Sequence, residues 1–248
     1  MTRFEILTLI HVGFTIIAIP AGIMAMIAAP KGSKLHRRVG LIYFYSYIGL
    51  ILLSIPMSYM KFRPIFLALT LFNIYIVFSG YLNVRNKNKV NPMVTWILFS
   101  ILLSGTLVYL YGGFQDIDSY QSDYGWAIVH FFFAACTLYV FVVDLRILKR
   151  VNKVKNQWLF QHMEKMLISF VTLIGTLMLR YSNLLVSQHF RWIFWILPYI
   201  LFLPLVVLWI HRYKTGNIKF ISTENDQLKR ESSLNFNINE NDCLKTLN

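Results

Sequence analysis

"AAPKGSKLHRRVGLIYF", residues 28–44, ends one apolar run at Pro30, gathers Lys31, Lys34, Arg37 and Arg38 into a short turn, and opens a second apolar run at once. A chain that turns back at a membrane surface reads this way, because apolar runs of ~20 residues cross the hydrocarbon while cations stay among the head groups. His36 sits at the turn itself.

Composition supports the same reading. The 248 residues are 56% apolar and only 14% charged, against roughly 25% charged in a soluble domain. Lys and Arg outnumber Asp and Glu by 24 to 11. Those cations fall between apolar runs and not on one soluble face, so the expected partner is an anionic lipid surface at the cytoplasmic side and not nucleic acid.

Seven segments are apolar enough to span a bilayer, at about residues 6–29, 40–60, 64–84, 93–113, 126–148, 158–180 and 192–211. Strands are excluded because an open sheet edge in lipid leaves backbone groups unpaired, and a closed barrel would alternate apolar and polar residues. The expected fold is therefore an all-α polytopic membrane bundle over residues 1–213. The Asn-rich remainder, 214–248, is too polar to bury a core and is expected to be a disordered cytoplasmic tail. Connections after the first, third and fifth spans hold twelve of the 24 Lys and Arg, whereas the other side holds five, Arg3, Lys61, Arg63, Arg180 and Arg191, and the acidic "FQDIDSYQSDYG". This bias predicts an outside N-terminus and an inside C-terminus, in a bacterial inner membrane. The first span is read as retained, since its apolar core is too long for a signal peptide and its cations follow it. Cys136 in the fifth span and Cys243 in the tail imply no disulfide.

Ionisable groups in a bilayer are costly, so their depth is informative. No Asp, Glu, Lys or Arg lies near the middle of a span. Asp144 with Arg146, and Glu164 with Lys165, read as local charge pairs near the inner surface, with Asp144 or Glu164 as possible acceptors behind a ligating histidine. Asn73 is a neutral polar candidate at mid-membrane depth, which weighs against a proton-coupled transporter.

The histidines form two levels. His11 and His130 lie roughly 6–8 Å inside the outer boundary at ~1.5 Å per residue, and His36 and His162 share the inner boundary. "LHRRVGLIYFYSYIGLIL" aligned with "QHMEKMLISFVTLIGTLM" superposes His36 on His162, Phe44 on Phe170 and Gly49 on Gly175. Spans 1–2 and 5–6 thus read as a parallel repeat that would set His11 opposite His130 and His36 opposite His162. Haem iron takes two axial ligands, imidazole supplies them, and helical bundles house the group. The sequence therefore predicts haem b held by His11 with His130 and by His36 with His162, with Arg37, Arg38 and Arg146 near the propionates and a quinone or redox protein as exchange partner. The logic resembles that of the transmembrane ascorbate-reducible di-haem cytochromes, although their ligand spacing differs.

"HVGFTIIAIPAGIMAMIAAPKGSKLHRRVGLIYFYS" and "DLRILKRVNKVKNQWLFQHMEKM" carry a second likeness. They resemble an uncharacterised bacterial integral-membrane family, domain-of-unknown-function family 2306, with His11, His36, Arg37, Gly40, Asp144, Arg146, His162 and Met166 on its pattern. The resemblance covers roughly residues 6–180 and implies a membrane fold without naming a reaction.

Plainer readings stand beside these. His36 and its cations also suit a loop anchored to phosphate head groups, His11 and His130 suit interhelical hydrogen bonds, and His189 and His211 suit the interface. No phosphate-binding glycine loop, nucleophile elbow or His-Glu-x-x-His motif is present. A membrane oxidoreductase component is the only enzymatic class left open. The alternatives are a small-solute or lipid-related transporter and a non-catalytic accessory protein.

Overall fold

The computed structural model describes residues 2–28, 31–61, 64–87, 91–118, 124–149, 156–184, 186–187 and 190–214. The tail beyond 214, Cys243, His189 and the loop cations Arg63, Lys89, Arg150, Lys153 and Lys155 lie outside them.

Seven helices account for nearly all of these residues: α1 (Arg3–Ile27), α2 (Lys34–Lys61), α3 (Pro64–Asn86), α4 (Pro92–Asp118), α5 (Tyr124–Leu148), α6 (Gln157–Tyr181) and α7 (Ile193–Lys214), with a 3₁₀ turn at Ser182–Leu184 after α6. Each expected span coincides with one helix to within a few residues. All seven are long and apolar enough to cross a membrane, and no strand occurs among the described residues. The chain is an integral membrane helical bundle. α2 begins earlier than expected, so His36, Arg37 and Arg38 belong to its first turns; Ser33 caps it by accepting the His36 N–H at 3.2 Å. At the other terminus Thr2 and Glu5 form a reciprocal capping box for α1. Large apolar side chains on the outer surface, such as Ile16 at 65% exposure, are where lipid replaces water as solvent.

Packing follows chain order from α1 to α5. α6 then crosses to α3, contacts α7 and touches α1, while α5 reaches α7. α3 and α6 are thus a spine shared by two lobes, α1 with α2 on one side and α4, α5 and α7 on the other. Small residues allow the close approach that membrane helices use in place of a hydrophobic drive. A Cβ on Gly49 of α2 would lie 2.6 Å from the Phe14 ring of α1, and one on Gly22 would lie 2.7 Å from Phe170 of α6. The proposed repeat is not reproduced in this packing. α1 lies directly along α2, but α5 packs chiefly on α4, and Gly175, the counterpart of Gly49, faces Pro198 of α7.

Candidate functional site

The quartet α1, α2, α3 and α6 holds three of the four singled-out histidines. At its basic end, His36 Nδ1 lies 3.0 Å from the Ala25 carbonyl of α1, and His162 Nδ1 lies 2.9 Å from the Gly80 carbonyl of α3. A carbonyl only accepts, so each Nδ1 carries the proton and each Nε2 keeps its lone pair. The two side chains are close enough to interact electrostatically. Lys31 also donates to the Ala25 carbonyl, at 3.2 Å, and to that of Met26, closing the end of α1. Its ammonium rests 5.6 Å from the Trp209 ring of α7. Arg37 and Arg38 are exposed beside His36, whereas Arg146 is exposed on α5, beyond the spine.

The other two histidines are not brought to one cavity. His11 lines a cavity of about 210 Å³ bounded by α1, α2, α3 and α6, and its Nδ1 is buried with no hydrogen-bond partner among the described residues. His130 lines a separate one of about 370 Å³ among α3 to α7. Its Nδ1 lies 2.8 Å from an Asp116 carboxylate oxygen and 3.1 Å from the Trp126 carbonyl. His130 Nε2 is buried without a hydrogen-bond partner among the described residues and occupies the space a side chain at Gly112 would need, 2.5 Å from its Cβ position. Phe66 of α3 lines both cavities.

Between the His11 cavity and the basic end runs a buried polar ladder. Tyr47 donates to Asn73 Oδ1 and is 3.0 Å from both that atom and the Ser169 carbonyl. Tyr43 and Ser169 share a 2.8 Å hydroxyl contact.

One site was not found in the sequence. Lys165 Nζ is 2.8 Å from Asp144 Oδ2 and 3.0 Å from Oδ1, and the Tyr75 hydroxyl donates to the same carboxylate. All three side chains are buried, drawn from α6, α5 and α3. This corrects the expected Asp144–Arg146 and Glu164–Lys165 pairings. Neighbours one or two apart on a helix point in different directions and do not face one another. A signal was present, because His162, Lys165, Ser169, Thr172 and Thr176 recur at helical spacing and give α6 a polar stripe.

Among the described residues no three His, Cys, Asp or Glu side chains gather as a metal site. The donor set that remains is paired imidazole, which haem iron accepts. His36 and His162 suit it in chemistry, each with Nδ1 fixed by a carbonyl as ligating histidines require. His11 and His130 do not suit a shared haem, since they line different cavities. No protein-family model, curated protein or solved structure matches the chain.

Proposed function

We propose that the protein is a haem b protein of the bacterial inner membrane that carries one haem between His36 and His162 and exchanges electrons at the cytoplasmic surface. The observation that carries this reading is the carbonyl anchor on each Nδ1, which fixes both rings and leaves Nε2 for a metal. When bound, haem supplies reversible one-electron chemistry at iron. Ala25 and Gly80 set the ring orientations through their carbonyls. Arg37 and Arg38 supply positive charge for the propionates on the helix that bears His36, and Arg146 stands farther away. The positive-inside bias assigns this end to the cytoplasm.

The test is a reduced-minus-oxidised absorption spectrum of protein purified after haem-supplemented expression. The haem band should vanish in His36→Ala and in His162→Ala and persist in His11→Ala and His130→Ala. A wild-type protein without a band would overturn the reading. A band halved by His11→Ala would restore the two-haem arrangement.

The second reading is passage of a small polar solute, favoured by the His11 cavity and the polar ladder beneath it in the same quartet. Proton-dependent uptake into vesicles by protein lacking any chromophore would select it.

A further inference from the structure

We infer that the cavity beside His11 is a binding site for a small, uncharged, apolar molecule that carries two hydroxyl donors, of the hydroquinone class. The site stands apart from the haem reading, because it is built from other residues at the opposite end of the quartet.

The argument rests on where the hydroxyl protons go. Ser54 donates to the Leu50 carbonyl, Ser58 to that of Ser54, Thr70 to that of Phe66 and Thr176 to that of Leu173, at 2.7–2.8 Å. Each of these residues lines the cavity with its hydroxyl proton already committed to its own helix, so what the hydroxyl offers a ligand is a lone pair. Thr172, in the same wall, is bonded the same way and already accepts from Tyr199. Tyr47 gives its proton to Asn73. His11 adds a buried ring nitrogen with no partner among the described residues, which is costly unless a ligand or water completes it.

The lining is therefore dominated by acceptors, with the Asn73 amide group and the one N–H that the neutral His11 ring carries as the exceptions. Among the described residues no charged side chain lines it. An ion would lose its hydration without a countercharge, so the ligand is neutral. Leu50, Ile51, Leu69 and Leu173 supply apolar wall, and a volume of about 210 Å³ admits a molecule of a single ring. A ligand that satisfies acceptors contributed by α2, α3 and α6 around an apolar space carries more than one donor on an apolar body. The oxidised quinone has the same shape with acceptors in place of donors, so at the Ser and Thr hydroxyls it meets lone pair with lone pair and has only the Asn73 amide and the His11 N–H to accept from.

Durohydroquinone and duroquinone make that contrast directly, since full ring methylation prevents addition to cysteine. Calorimetric titration of the full chain in nanodiscs, under argon, should show durohydroquinone binding at least about tenfold more tightly than duroquinone, the value of one to two hydrogen bonds. Thr70→Val keeps side-chain shape and should weaken durohydroquinone about fivefold while leaving duroquinone unchanged; Thr176→Val should do the same and replaces it if the Thr70 variant fails to fold. Ser54→Leu should abolish binding of both. Equal affinities, tighter binding of duroquinone, no binding of either, or retention of affinity in a folded threonine variant would each overturn the inference. The result does not depend on haem, so a colourless protein that binds durohydroquinone separates the two proposals.

Discussion

Asp144 of α5 and Lys165 of α6 are joined at 2.8 Å although both side chains are at most 10% exposed. A charge in that position is tolerated because its partner and the Tyr75 hydroxyl saturate it; alone it would face a desolvation cost of several kcal/mol. Lys165→Met leaves the carboxylate buried and unpaired and is expected to lower stability by about 3–5 kcal/mol, read as a fall in the thermal midpoint of the detergent-solubilised protein. Asp144→Leu combined with Lys165→Met should recover most of that loss. A double variant as unstable as the single one would show that the carboxylate is not the source of the cost.

Two glycines should respond oppositely to alanine. At Gly112 the new methyl group would fall 2.5 Å from His130 Nε2, pushing the imidazole off Asp116 and costing about 1–3 kcal/mol through overpacking. Around Gly13 nothing lies within 4 Å, so Gly13→Ala should be neutral or stabilising, by up to ~1 kcal/mol from helix propensity. Thermal midpoints of the two variants measured side by side decide the point.

Lys31 links stability to alkaline pH. Burial lowers its pKa from 10.5, so on raising pH the folded state sheds this proton before the unfolded state does. The unfolded state then binds more protons, and stability rises with pH between the folded value and 10.5 before levelling off. Lys31→Met should flatten that rise. Mass-spectrometric acetylation profiles should place the reactivity midpoint of Lys31 below that of a lysine in a short unstructured peptide.

Tyr47→Phe deletes one hydroxyl and strands the buried Asn73 Oδ1, whereas the Ser169 carbonyl keeps its partner within α6. The expected loss is about 1–3 kcal/mol, with helix content unchanged by circular dichroism. Ser54→Ala, which removes a hydroxyl bonded only within its own helix, should cost less.

The seven helices were legible because a bilayer imposes a length and a composition that the chain must meet segment by segment. Which helix packs on which was not. The spans are apolar on most faces, so periodicity does not single out the side that α1 turns to α2 or that α5 turns to α4. The His36 and His162 level was readable from sequence depth, and the structure brings those two side chains within electrostatic range. Depth alone could not reveal that α3 stands between His11 and His130, since lateral position depends on helix order around the bundle. Lys165 was misread for a related reason: its position near a span end suggested the surface, whereas its place on the polar stripe of α6 turns it inward.

Phe66 is a partition with a chamber on either side. Were that ring to swing and enlarge one chamber it would encroach on the other, and filling either would then alter the room in its neighbour, an influence that thermodynamic linkage makes mutual. The two compartments beside the α3–α6 spine share one aromatic wall.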